Sequence, residues 1–579
     1  MSLTGLDWML VLGIAALPLA VGVALRRRAG VSTQQFFLSG RDLPWWLSGT
    51  SMVATTFAAD TPLAVTGIVA ASGLAGNWLW WNAALGTMLT VFFFARLWRR
   101  AGITTDVEFA ELRYTGRPAA FLRGFRALYL GLPINCLIIG WVNLALAKVF
   151  AVVLGWERLT AVLLGLAITG CYAALAGLRG VVVSDFLLFA VALTGTWALA
   201  HFALAAPGVG GLAGLAERLP DEALRVAPSF GAGASDAPTL ALSLSAFVAF
   251  LGVQWWASWY PGQEPGGGGY LAQRMMSARS ERHALLATLW FAIAHYCLRP
   301  WPWIVVALAS LVLYPDIADP ESGYALVMRD HLPAGWRGLL IGAFVAAYMS
   351  TVSTQLNWGT SYLVNDVYAR FVRARAGSAE LVAVSRAVTV GIMLLSGALT
   401  FRLESVRQAW EFALESGAGI GLVLILRWYW WRVNAFSEIA ALLAAAVGFV
   451  GMRLLTTVEF PQTLLYLVPW TTAWWLAATW LTPPEPMSHL VAFYRRVRPG
   501  GPGWAPVAAR AGGEAPERLR PGLLRWAAGS VLVYATLFAA GAALFGSVGR
   551  AWLWGGLAVA AGGWLCRDPG WTRRRAAAP

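Results

Sequence analysis

Runs of about twenty consecutive apolar residues, each long enough to cross the hydrocarbon layer as a helix, recur from one end of this chain to the other. Fifteen are read, near residues 7–25, 46–70, 77–98, 126–154, 159–178, 181–205, 239–260, 284–314, 338–360, 383–402, 408–427, 435–455, 463–482, 524–546 and 550–566. Inside lipid a backbone must satisfy its own N–H and C=O groups, which leaves helices or a closed barrel. Barrel strands alternate apolar and polar residues over about ten positions, and these runs do not. With 58% of 579 positions hydrophobic and 12% charged, the chain does not read as a soluble globular protein. The expected fold class is an all-α integral membrane protein with about 15 transmembrane helices.

A net charge of +14 would suit a nucleic-acid partner if it were gathered in one patch. It is spread instead: with the N-terminus placed outside, 32 of the 43 basic residues fall on one side of the alternating spans. That is the positive-inside bias. It predicts a multi-pass protein of the cell (inner) membrane, N-terminus outside and C-terminus cytoplasmic, whose partner is the lipid bilayer and not nucleic acid. Every basic residue but Lys148 is arginine. The first apolar run has no basic region before it and is followed by Arg26-Arg27-Arg28, so it does not read as a cleaved signal. Cys136, Cys171, Cys297 and Cys566 form no close-spaced pair, which argues against disulfide or metal chemistry.

Two spans are interrupted. Gly49–Gly67 is apolar enough to cross a bilayer, yet carries Asp60 and Pro62 near its middle. Pro62 has no N–H and its ring clashes with the Ala58 carbonyl, so a break is expected at Asp60–Pro62. Asp60 is then either a functional carboxylate at membrane depth or the partner of an arginine beside a packed kink. The run near 239–260 ends in Tyr260-Pro261-Gly262-Gln263-Glu264-Pro265-Gly266-Gly267-Gly268-Gly269-Tyr270, with too much Gly and Pro to stay helical. Interrupted segments at corresponding positions of two halves point to a transport site; the alternative for 261–269 is a plain loop.

Three ordered motifs carry a resemblance. Phe36-Phe37-Leu38-Ser39-Gly40-Arg41-Asp42-Leu43-Pro44-Trp45-Trp46 precedes the first interrupted span. Tyr172-Ala173-Ala174-Leu175-Ala176-Gly177-Leu178-Arg179-Gly180-Val181-Val182-Val183-Ser184-Asp185 lies at a helix–helix turn. Ala346-Ala347-Tyr348-Met349-Ser350-Thr351 is followed by Leu363-Val364-Asn365-Asp366-Val367-Tyr368. Together they resemble the sodium:solute symporter family over roughly residues 36–432. The resemblance implies a leucine-transporter-type core, a 5+5 inverted repeat with two broken helices. The chain then divides into an N-terminal helix and cytoplasmic turn (1–45), a first repeat (46–206), an inverted second repeat (239–432) and accessory helices (433–579). Residues 206–238 are expected as an external loop and 483–523 as a poorly structured cytoplasmic linker.

Ala347, Ser350 and Thr351 fall at i, i+3 and i+4, one face of a helix, where two hydroxyls offer neutral oxygen ligands suited to a monovalent cation. The resemblance implies Na⁺ as the coupling ion, held by the carbonyls of Ala54, Phe57 and Ala347 and the hydroxyls of Ser350 and Thr351. Those hydroxyls can also bond back to carbonyls of their own helix. Asp185 matches the family's aspartate on the ion exit path; a helix-start aspartate would look the same.

The second partner is a small-molecule solute. Thr61 and Trp80 stand where the sugar-carrying branch has glutamine and glutamate, Asp60 keeps an acid where that branch has glutamate, and the landmarks of the proline-carrying branch are missing. The candidate substrate-binding set is Asp60, Thr61, Trp80, Asn82, Gln254, Trp255, Arg299 and Gln408, with Trp256, Trp410, Glu411 and Glu415 as further polar and aromatic groups. Arg299 either grips a solute carboxylate or pairs with Asp60 or Glu415. No catalytic triad, metal cluster, phosphate loop or cofactor motif stands out, so an enzyme is not expected. The expected function is sodium-coupled symport of a small polar organic solute by alternating access. The alternatives are a sodium-independent uniporter or channel, or a transporter-like sensor, for which the tail after Cys566 is short. Oligomeric state is left open.

Overall fold

The structure, a computed structural model, describes residues 3–29, 38–175, 178–228, 240–259, 264–512 and 515–568. Phe36, Phe37, Ala176, Gly177 and Tyr260–Gln263 of the motifs above lie outside the described residues. Among the described residues all regular structure is helical, with two isolated bridges besides. Among the described residues nine helices are long and apolar enough to span a membrane singly, and one bent pair makes a tenth.

In chain order, α1 is Gly5–Ala29 and the bent pair is α2 (Trp45–Thr55) and α3 (Asp60–Ser72). The helical runs α4 (Leu74–Ala101) and α5 (Gly116–Leu154) follow, then α6 (Arg158–Leu175) and α7 (Leu178–Ala205). The second interrupted span is α8 (Leu244–Ala257) and α9 (Gly269–Ser277). Next come α10 (Glu281–Leu313), α11 (Trp336–Val372), α12 (Ser378–Thr400), α13 (Val406–Ser416) and α14 (Ile420–Tyr429). The chain closes with α15 (Ala435–Leu455), α16 (Leu464–Leu481), α17 (Met487–Val497), α18 (Arg520–Leu544) and α19 (Val548–Arg567).

The first interruption falls one step earlier than expected. α2 ends at Thr55, residues 56–59 are not regular helix, and α3 restarts at Asp60 with a 56° change of direction. Pro62 therefore sits inside the first turn of α3, where an amide has no intrahelical acceptor and its absence costs nothing. The proline's missing N–H leaves the helix no reason to continue backward through Ala58.

The described residues on either side of the second interruption are packed against their neighbours. Ser258 bridges to Ala418, the Trp259 amide donates to the Gly417 carbonyl at 3.1 Å and the Gly419 amide to that of Ala257 at 2.9 Å. The turn between α13 and α14 thus zips onto the end of α8. Gly266 and Gly267 have φ of +91° and +77°, which side chains rarely adopt, and Trp98 Nε1 donates to the Gly266 carbonyl at 2.7 Å.

Two segments expected to be irregular are partly helical. Residues 206–238 contain Gly211–Arg218 and Asp221–Leu224. The 483–523 segment contains α17 and Ala505–Ala511. Its glycine, proline and arginine content hid a stripe at helical spacing: Leu490, Phe493, Tyr494 and Val497 are buried. Phe493 stacks on Trp504 at 5.3 Å, and the Arg113 guanidinium lies 4.9 Å over Trp504.

At this arginine-rich end a buried ionic network joins distant elements. Glu438 on α15 accepts from Arg126 of α5 at 3.0 Å, Arg427 of α14 at 3.3 Å and the Tyr114 hydroxyl at 2.7 Å. Arg427 also lies 3.7 Å from Glu264, in the interruption between α8 and α9. At the opposite end the sole lysine, Lys148 of α5, pairs with Asp319 at 2.8 Å and Glu321 at 2.7 Å. Glu321 also caps α13, accepting from Ser405 Oγ and the amides of Val406 and Arg407 at 2.7, 3.0 and 2.9 Å. The two networks bracket the middle of the molecule.

Candidate functional site

Between those networks lies a cavity of about 70 Å³. The gap between α2 and α3 contributes Thr55, Thr56, Asp60 and Thr61; α4 contributes Leu79 and Trp80; α5 contributes Ile138, Trp141 and Val142. Tyr270 comes from α9, His295 and Arg299 from α10, Thr351 and Gln355 from α11, Trp410 and Leu414 from α13. Both interrupted spans therefore reach it. Its walls are aromatic and its polar groups converge, the usual make-up of a small-molecule site.

Arg299 is held by the broken helix itself. Its Nη1 donates to the carbonyls of Val53 at 3.1 Å and Thr56 at 2.9 Å, and Nη2 contacts the His295 ring. Those carbonyls lie at the end of α2, where that of Val53 also accepts from the Thr56 amide at 3.1 Å. The guanidinium also lies 5.1 Å over Trp303. A π-type turn at Ala294–Leu298 ends just before Arg299, and Pro300 and Pro302 follow. Among the described residues neither carboxylate considered from the sequence forms a close ion pair with Arg299: Glu415 pairs with Arg453, and Asp60, which still interacts electrostatically with Arg299, takes hydrogen bonds from the Trp141 side chain and the Thr61 amide.

The hydroxyl pair of α11 faces the end of α2. Thr351 Oγ1 donates to the Thr55 carbonyl at 3.2 Å, and Ser350 Oγ donates to Asp185. Ser350 and Thr351 thus do not bond back into their own helix. Phe57, whose ring stacks on Trp303 at 5.4 Å, turns its amide back to the Ala54 carbonyl at 3.0 Å. Ala54, Phe57, Ala347, Ser350 and Thr351 are all buried. Asp185 is not at a helix start: it lies inside α7, fully buried, and also accepts from Ser51 Oγ at 2.6 Å. Arg274 of α9 completes this cluster, donating to Ser51 Oγ at 3.4 Å, Thr55 Oγ1 at 3.3 Å and Thr354 Oγ1 at 3.2 Å.

The sequence pattern of the sodium:solute symporter family matches residues 36–448. The chain belongs to this family. Its relatives include a sodium/glucose cotransporter of Vibrio parahaemolyticus, 24% identical over 76% of this chain and 83% of the relative. Sodium/glucose cotransporter 4 of Danio rerio is 25% identical over 82% and 78% of the two chains. The fold resembles that of a Na⁺-coupled sialic acid symporter solved substrate-bound and outward-open, with a TM-score of 0.66 and 18% identity over 83% of this chain and 99% of that one. The protein is thus a multi-pass membrane symporter with Na⁺ as its coupling ion.

Of the symporter's expected solute-site residues, Asp60, Thr61, Trp80 and Arg299 line the cavity and four others do not. Asn82 Nδ2 is spent on the carbonyls of Trp78 at 2.7 Å and Leu79 at 2.9 Å, and Gln254 Nε2 on that of Leu79 at 2.8 Å. Trp255 stacks on Trp526 of α18 at 5.7 Å. Gln408 is exposed in the first turn of α13, its amide bonded to Ser405 Oγ. Polar side chains at membrane depth serve carbonyls as readily as ligands, as Asn82 and Gln254 do here, and composition alone does not distinguish the two uses. Thr55, Thr56, Trp141, Tyr270, His295 and Gln355 were missed. Gln355 and His295 had a signal, four residues from Thr351 and from Arg299 on the same helical faces; Trp141 and Tyr270 had none.

Proposed function

We propose that the symporter carries a small polar organic solute in the central cavity, bound near Asp60, Thr61, Trp80 and Arg299, by alternating access about a 5+5 inverted repeat. Na⁺ is held between α2 and α11 by the carbonyls of Ala54, Phe57 and Ala347 and the hydroxyls of Ser350 and Thr351, with Asp185 on its exit path. The observation that carries this reading is Thr351, which both lines the cavity and donates to Thr55 at the end of α2. One side chain then feels both ion and solute, which is what coupling requires. The family's relatives are transporters, and we assign this chain no enzymatic step.

The test is uptake of a labelled metabolite panel into proteoliposomes, with and without an inward sodium gradient. At least one small polar solute should accumulate only with sodium; accumulation unchanged by choline or potassium replacement would refute the coupling.

We further place about fifteen spans in the inner membrane, N-terminus outside and C-terminus cytoplasmic, from the arginine asymmetry. Reporter fusions at residue 510 and after residue 579 should both read cytoplasmic, and a periplasmic signal at either would reverse the topology.

A further inference from the structure

We infer that the solute is a zwitterion: an amino acid or betaine whose cationic nitrogen faces Asp60 and the surrounding indoles, and whose carboxylate is read by Arg299. This rests on the reading of the central cavity as the solute site. Two buried groups of opposite charge line that one cavity, Asp60 and Arg299. Elsewhere buried Arg126 and Arg427 pair with Glu438, while buried Arg113 is held by carbonyls and buried Arg274 and Asp185 by hydroxyls. Among the described residues no ion pair includes Asp60 or Arg299. Full charges withdrawn from water favour a compensating partner, and the cavity that both groups line offers room for a ligand carrying one of each sign. A neutral sugar brings hydroxyls only. A zwitterion brings both missing charges on one small frame.

The surroundings match each end. Trp80, Trp141 and Trp410 line the cavity with Asp60, and indole faces attract ammonium and quaternary ammonium groups. At the other end, Arg299 is fixed by the Val53 and Thr56 carbonyls and His295, while its Nε has no hydrogen-bond partner. A guanidinium with an unspent donor, held rigid by its other nitrogens, suits a carboxylate. Trp410 Nε1 and Gln355 Oε1 are likewise without partners in the same lining, one donor and one acceptor more.

The experiment uses the full-length purified protein in sodium buffer. The probes are the twenty L-amino acids, glycine betaine, D-glucose, D-galactose and L-lactate, read by thermal unfolding midpoint and tryptophan fluorescence. At least one zwitterion should bind, at least about tenfold tighter than its analogue lacking the amine, since a charged hydrogen bond is at stake. In Asp60→Asn this preference should fall below about threefold. Asp60→Glu, which keeps the charge, should retain most of it. Binding of glucose or galactose without any zwitterion, no response to any probe, or a preference that survives Asp60→Asn would each overturn the inference. Gln355→Leu separates this failure from failure of the site. If it weakens whichever probe binds, sugar included, the cavity stands and only the charge assignment falls. If both it and Asp60→Asn leave binding unchanged, the cavity itself is not the solute site.

Discussion

Thr351→Val should raise the sodium concentration for half-maximal uptake by roughly 5- to 150-fold, the equivalent of about 1–3 kcal/mol for one lost oxygen contact. Valine keeps the shape of threonine, so the packing of α11 against α2 is retained and the change is chemical. What is lost is the hydroxyl that now donates to the Thr55 carbonyl at 3.2 Å and that the proposed site turns toward the ion. Ser350→Ala should act in the same direction. Its hydroxyl is bonded to Asp185, which keeps Ser51 at 2.6 Å as a partner, so no buried carboxylate is stranded. All five proposed ligands are neutral, and their loss leaves no unpaired charge. Thr351→Ser keeps the oxygen and should be mild. Because coupling free energies are reciprocal, the valine variant should also bind solute more weakly at fixed sodium, while its affinity at saturating sodium recovers. Sodium titrations of uptake in proteoliposomes measure all three variants. A wild-type-like sodium curve for Thr351→Val would remove α11 from the ion site.

Arg427→Met should cost about 3–5 kcal/mol, the usual penalty for breaking a buried ion pair and leaving the partner charged. Arg427 is 1% exposed, bonded to Glu438 at 3.3 Å, 3.7 Å from Glu264 and 4.6 Å over the Phe109 ring. Without it, Arg126 alone faces Glu438, and Glu264 keeps the Trp259 indole at 2.6 Å but its other oxygen, already without a hydrogen bond, loses its nearest cation. The interruption between α8 and α9 should then come loose from α14 and α15. The unfolding midpoint of the purified protein should drop steeply. The double variant Arg427→Met/Glu438→Gln should be less damaged than the single one, because the charge that methionine exposes has been removed. A single variant as stable as the parent would mean that this network is not what holds the interruption closed.

Much of this was legible in the residues. Apolar run length predicted helix where helix is found, since a membrane span is selected by its own hydrocarbon contact and needs no partner to be recognised. Pro62 announced the first broken helix, and the i, i+3, i+4 spacing announced that Ala347, Ser350 and Thr351 share a face. α17 was missed because its four buried apolar residues sit among arginines and glycines, and only the Trp504 and Arg113 surface shows what they pack against.

Partner choice was the other unreadable quantity. Asn82, Gln254 and Arg299 are all costly polar groups at membrane depth, and nothing in their chemistry says which will be spent on a carbonyl and which will line a cavity. By itself the sequence determined the helical membrane fold and the two interruptions, because these depend on composition, spacing and local backbone chemistry, while the family and the sodium coupling were legible only through the resemblance its three motifs carry. Only the tertiary structure decided that the break falls before Asp60, that Arg299 anchors α2, and that Asp60 lines the same cavity as Arg299 without a close ion pair to it. Those outcomes depend on which unsatisfied group from another helix arrives within hydrogen-bond reach, and that is set by packing between segments more than two hundred residues apart.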